Sequence, residues 1–251
     1  MKSDKIEFSG AQGDMLSARI DSAEGEARGY ALFAHCFTCS KNLHAVGHIT
    51  RALAKRGIST LRFDFTGLGE SGGEFANTNF SSNVGDLIAA ADFMESDMES
   101  PSLLIGHSLG GAAVLHAAHD LESVKAVATI GAPSDPAHVK ENFALKLDEI
   151  EETGEAKVTL AGRTFKIKRQ FLEDIENAGK SDRIGSLNRA LLVMHAPLDN
   201  TVGIDNAASI YTSAKHPKSF ISLHQTDHLL TDPTFSTYAG GIIAQWSDLY
   251  F

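Results

Sequence analysis

The sequence is poor in cysteine, aromatic residues and positive charge, and it lacks any long apolar run. Its two cysteines, Cys36 and Cys39, sit so close that a bridge between them would close a tiny loop and add little stability, so no disulfide framework is expected. No stretch approaches the roughly 20 apolar residues that cross a bilayer. The start, MKSDKIEFSG, carries no apolar signal core, which makes a cytoplasmic protein without membrane contact the expectation. Lys and Arg total 22 against 32 for Asp and Glu, and the resulting charge of −10 repels phosphate backbones, so nucleic acid is not an expected partner. Histidines are plentiful but show no HExxH or comparable spacing, so neither a metal nor another cofactor is expected. Repeats and low-complexity tracts are missing too, which excludes a solenoid or an interaction tail. Nothing in the sequence fixes an oligomeric state.

What is present is an ordinary globular composition, 43% hydrophobic and 22% charged over 251 residues, enough for one large domain with its own core. Two short strand candidates, Lys5 to Phe8 and Leu16 to Ile20, flank the turn-rich GAQGD and read as an antiparallel edge. Apolar strands then alternate with helical patterns: Tyr30 to Ala34 with a helix over 42–56, Ile58 to Phe63 with a helix from about Asn79, and Ser102 to Ile105 with a helix from Gly110. Val124 to Ile130, Ala190 to Met194 and Ser219 to Leu223 add three strands, and a last helix is expected from about Tyr238. Such alternation predicts an α/β fold with a mainly parallel sheet of about eight strands and helices on both faces. About 58 residues separate Gly131 from Ala190, far more than a simple connection uses. Residues 134–187 are therefore read as a small cap inserted into a core of 1–133 and 188–251, with KVTLAGRTFKIK as a hairpin inside it.

The string Gly106, His107, Ser108, Leu109, Gly110 follows the strand SLLI and opens a helical stretch. Glycines two before and two after a serine suit the tight strand-to-helix turn that exposes a nucleophile. A serine hydroxyl needs a base, and in this arrangement the acid and then the histidine come later in the chain. His228, in the loop QTDHLL, is preferred over His224 at the strand end. Asp199 follows the preceding strand and is preferred over Asp205, at a helix start, and Asp227, next to the histidine. Two backbone N–H donors are expected for an oxyanion: Leu109, and one from the early loop opened by His35 and Cys36, with Phe37 first and Cys36 behind it. The CxxC of HCFTC also permits a redox reading, and Cys36 and Cys39 are expected to make the site sensitive to oxidation. The Gly-rich GLGESGG lacks both the GxGxxG register and the Lys-Ser/Thr of a phosphate loop, so it is read as a turn near the site.

The strings AHCFTCSKNL, LRFDFTGLGESGG, NFSSNVGDL, LIGHSLGGAAVLHAA and IGAPSDPAHV, with the later VGIDNA, AKHPKSF and DHLL, resemble the α/β-hydrolase half of proteins fused to a domain of the osmotically inducible protein C family. The likeness covers most of residues 30–230 and implies an α/β-hydrolase fold with Ser108, Asp199 and His228 as its triad. The peroxidase-like domain of that family would begin at about Phe251, and the likeness concerns its hydrolase half alone. The expected activity is hydrolysis of a small carboxylic ester, of short acyl chain given the modest cap. A thioesterase or peptidase using the same residues is the alternative within enzymes. A non-catalytic or redox-linked module is the alternative outside them.

Overall fold

The structure, a computed structural model, describes residues 1–160 and 162–251. Strands β1 (Ser3–Ser9), β2 (Met15–Asp21), β3 (Gly29–Ala34), β4 (Ile58–Phe63), β5 (Leu103–His107), β6 (Ala126–Ile130), β9 (Ala190–His195) and β10 (Lys218–Ser222) form one sheet in the order β1-β2-β4-β3-β5-β6-β9-β10. β1 and β2 pair antiparallel at one edge, β2 runs antiparallel to β4, and the remaining pairs are parallel.

The strands β4, β5, β6 and β9 are buried at every position because both of their faces are covered. Alternate residues serve opposite cores: Leu32, Leu104, Val127 and Leu191 belong to one, and Phe33, Ile105, Ala128 and Leu192 to the other. The first core is closed by α2 (Phe80–Asp97), α3 (Leu109–Ala117) and α6 (Asp205–Ser213), the second by α1 (His44–Ala54) and α7 (Pro233–Ser247). Capping sets where two of these begin. Asn79 and Ser82 exchange hydrogen bonds in a capping box ahead of α2, and the Asp232 carboxylate accepts the Thr234 N–H at 2.7 Å ahead of α7. The last helix thus starts five residues before the expected Tyr238, because Asp232-Pro233 is a cap followed by a preformed first turn.

Between β6 and β9 lie a 3-10 segment, Pro136–Lys146, broken at Phe143, then α4 (Leu147–Thr153), the hairpin β7 (Glu155–Leu160) and β8 (Arg163–Lys168), and α5 (Arg169–Gly179). Ala161, in the turn expected for that hairpin, lies outside the described residues. The hairpin alternates exposed and buried side chains, and its inward face includes Ala156, Val158, Phe165 and Ile167. Aromatic pairs fasten this insertion to the core: Phe165 lies 4.9 Å from Phe75, and Phe171 of α5 lies 5.5 Å from Phe37. The Asp174 carboxylate adds hydrogen bonds from the N–H and hydroxyl of Ser81, both at 2.7 Å. No helix among the described residues is long and apolar enough to cross a membrane.

Candidate active site

β5 ends at His107, and Ser108 follows at once as the residue before α3, with φ 55° and ψ −128°. A non-glycine residue at positive φ is strained and persists only where its surroundings fix it. Here the Ser108 N–H donates to the Ile130 carbonyl at 2.9 Å, and the Ser108 carbonyl accepts from the Gly111 N–H at 2.8 Å. The turn also needs its glycines. A Cβ on Gly106 would lie 2.6 Å from the Gly111 Cα, and one on Gly110 would overlap the His35 carbonyl and lie 2.5 Å from that of Ala34. The serine is 8% exposed, at the bottom of an open cleft.

Chain segments that follow β9 and β10 converge on it. The Ser108 hydroxyl lies 3.0 Å from His228 Nε2, and His228 Nδ1 lies 2.7 Å from Asp199 Oδ2. Asp199 Oδ1 accepts the N–H groups of Thr201 and Val202 at 2.8 and 2.9 Å, which fixes the carboxylate from its far side. Burial alone would raise the Asp199 pKa. The His228 N–H and the amides of Val202 and Thr201 outweigh it and hold the carboxyl below its usual range. An ionised Asp199 that accepts from Nδ1 leaves the His228 Nε2 lone pair facing the serine.

The other candidates stand apart from this chain of contacts. His224 is exposed, its ring 6.5 Å from that of Phe235. Asp205 is the first residue of α6. Asp227 turns away to accept from the N–H and hydroxyl of Thr231 at 2.9 and 2.5 Å, shaping the loop that carries His228.

Leu109 opens α3, so its N–H has no acceptor within the helix. Neither that N–H nor the N–H of Phe37 or Cys36 donates to another protein group among the described residues. The loop after β3 is pinned at both ends. A disulfide joins Cys36 to Cys39 where no structural bridge was expected, and the Cys39 N–H donates to the Cys36 carbonyl at 3.1 Å within the turn it closes. That spacing leaves pairing to the local backbone turn, which composition does not reveal.

The Gly-rich loop read as a simple turn carries a second anchor that the sequence reading missed. Asp64, at the end of β4, accepts both the backbone N–H and the ammonium of Lys41 at 2.6 Å, and the Glu70 N–H at 2.9 Å. An aspartate at the end of an apolar-rich strand, three residues before Gly67, was the available signal for Asp64; nothing local pointed to Lys41 as its partner. No group of three or more His, Cys, Asp or Glu side chains is placed to hold a metal among the described residues.

The cleft over Ser108 has a volume of about 260 Å³ and opens to solvent. Phe37, Leu160, Leu229 and the Cys36–Cys39 bridge make its apolar wall, and Asn142 and Thr201 its polar one.

The sequence profile of the serine aminopeptidase, S33, family matches residues 25–164. The chain belongs to that family. Its members are hydrolases, and the sheet order and covering helices place this chain in the α/β-hydrolase fold. The esterase domain of a Rhodothermus marinus protein is 46% identical in sequence, with all of this chain aligned to 99% of that one at a TM-score of 0.81. The mouse palmitoyl-protein thioesterase ABHD10, a mitochondrial protein, is 33% identical over 130 residues, 48% of this chain and 42% of its own length. The chain thus matches less than half the length of that curated relative. The structure of the mouse protein shares the fold over 98% of this chain, with a TM-score of 0.78 at 20% identity.

Proposed function

We propose that this hydrolase cleaves carboxylic esters of short acyl chain through an acyl-enzyme on Ser108. The carrying observation is the unbroken sequence of contacts from Ser108 Oγ to His228 Nε2 at 3.0 Å and from His228 Nδ1 to Asp199 Oδ2 at 2.7 Å. In this reading the Ser108 oxygen attacks the ester carbonyl as its proton passes to His228 Nε2. Asp199 holds the ring and stabilises the imidazolium that forms. The tetrahedral oxyanion is held by the N–H groups of Leu109 and Phe37, with Cys36 behind, each donor worth about 3 kcal/mol of barrier. His228 then gives its proton to the departing alcohol, and a water activated by the same ring releases the acid.

The insertion over 134–187 acts as a cap, which Leu160 and Asn142 at the cleft wall support. Phe37 packs against Phe75 at 5.6 Å and Phe171 at 5.5 Å, which favours a short acyl group over a long one. The likeness to an esterase domain at 46% identity points the same way. A panel of p-nitrophenyl esters from two to sixteen carbons tests the reading. Turnover that peaks at the short end and vanishes in Ser108→Ala is expected, and turnover that survives Ser108→Ala sinks it.

The match to a thioesterase supports a second leaving group, because the geometry of acyl transfer is shared between oxygen and sulfur esters. Acyl thioesters and peptides in the same panel decide which is cleaved faster.

A further inference from the structure

His107 precedes the nucleophile and was read only as a spacer in the GxSxG string. Its side chain is buried, and its ring lies 5.1 Å from that of His228. Its Nε2 lies 2.7 Å from the backbone carbonyl of His228, an acceptor with no proton of its own, so the ring donates from Nε2. Burial first, and the neighbouring His228 second, lower its pKa to about 3, so it remains the neutral donor.

Apart from the burial of Leu230 in the second core, the segment 225–231 that carries His228 is held mainly by hydrogen bonds within itself. Its other hydrogen bonds are internal, from Leu230 N–H and the Thr226 hydroxyl to the Asp227 carbonyl and from Thr231 to the Asp227 carboxylate. Leaving aside the side chain of His228 itself, the His107 N–H is the one hydrogen bond reaching this segment from elsewhere among the described residues. Two of the segment's residues, Gln225 and Leu230, sit at positive φ, 61° and 51°, a conformation that the surroundings must hold; the core does so for Leu230, while Gln225 is exposed.

We propose that His107 is a positioning residue for the base: its Nε2–H ties the His228 backbone to the residue that adjoins Ser108, and so sets the separation of nucleophile and base. This rests on the reading of Ser108 and His228 given above. A base displaced by about 1 Å costs up to roughly a hundredfold in rate. The loss falls on kcat, because His107 touches no substrate.

Two variants separate the donor from the shape. His107→Phe keeps a ring and removes the N–H, whereas His107→Gln places an amide N–H near the same point. With p-nitrophenyl acetate, His107→Phe is expected to lower kcat by about ten- to a hundredfold with KM within about twofold, and His107→Gln to recover most of it. Backbone hydrogen exchange over 225–231 is expected to speed up in His107→Phe and to stay near wild type in His107→Gln. Unchanged kcat or unchanged exchange in His107→Phe overturns the proposal, as does an equal loss in both variants. The exchange measurement does not depend on turnover. Faster exchange in His107→Phe together with activity that survives Ser108→Ala would therefore locate the failure in the catalytic reading and leave the anchor standing.

Discussion

The ammonium of Lys41 lies 2.6 Å from the carboxylate of Asp64, with the two side chains 1% and 0% exposed. The pair joins the loop after β3 to the glycine-rich loop after β4, beneath the proposed oxyanion donors. A buried ion is tolerated only with its partner, and removing one member typically costs about 3–5 kcal/mol. Asp64→Ala should lower stability by about that amount in urea unfolding. In Asp64→Ala the buried Lys41 ammonium keeps only the exposed Glu70 carboxylate at 3.0 Å, so the double variant Asp64→Ala/Lys41→Met, which removes that ammonium, should be more stable than Asp64→Ala alone. A double variant less stable than the single one would remove the pair from this role.

Asp199 faces His228 through one oxygen and is fixed by backbone amides through the other. Asp199→Asn keeps the shape but presents an amide that no longer stabilises the imidazolium or enforces its tautomer. Steady-state kinetics should show kcat lower by about 10⁴-fold with KM little changed. A loss below about tenfold would assign the acid elsewhere.

Acid sensitivity should come chiefly from buried histidines. Burial lowers the pKa of His35, His107 and His195 from 6.5, that of His107 to about 3, and that of His116 to about 4. Once the pH drops below 6.5 the unfolded chain takes up protons that the folded one refuses. The stability of these groups is therefore complete above about pH 6.5 and is lost as the pH falls toward the folded values. His107 faces His228, Asp199 and His35; His195 faces Asp199 and His228; and His35 faces Asp64 and Lys41. His116 faces His119, Arg183, Asp135 and Asp174. Asp86 acts in the opposite sense, since burial raises its carboxyl pKa. Tm should fall between pH 7 and pH 4, and more gently in His107→Gln, which has no ring to protonate. An identical slope in the variant would exclude His107 as a contributor.

The Cys36–Cys39 bridge closes a four-residue turn, for which loop entropy allows about 2 kcal/mol. Its larger effect should be on the backbone of Phe37, which it encloses. Reduction, or the Cys36→Ser/Cys39→Ser variant, should lower kcat by roughly tenfold, less than the full loss of an oxyanion donor. Activity indifferent to reductant and to the variant would show that the bridge does not shape this turn.

Local patterns in the chain were enough to read the strands and most of the helices. Continuous apolar runs gave the buried parallel strands, and period-two alternation gave the hairpin β7–β8, because side-chain direction along a strand follows from the backbone alone. The glycines around Ser108 were legible for a similar reason: a turn that tight excludes a Cβ whatever the rest of the molecule does. Chain order narrowed the acid and the base to a few residues each. The preference for His228 over His224 came from its place in a loop past the strand, and the path of that loop after β10 puts one ring 3.0 Å from Ser108 and leaves the other exposed.

The tertiary structure alone decided three things: that Asp64 reaches across to Lys41, that Cys36 and Cys39 close a turn, and that the histidine beside Ser108 donates to the backbone of His228, 121 residues away. Sequence determines which side chains can donate, accept or fill space. Which of them meet depends on how parallel strands stack and where their loops return, and that information is spread over the whole chain rather than held in any one segment of it.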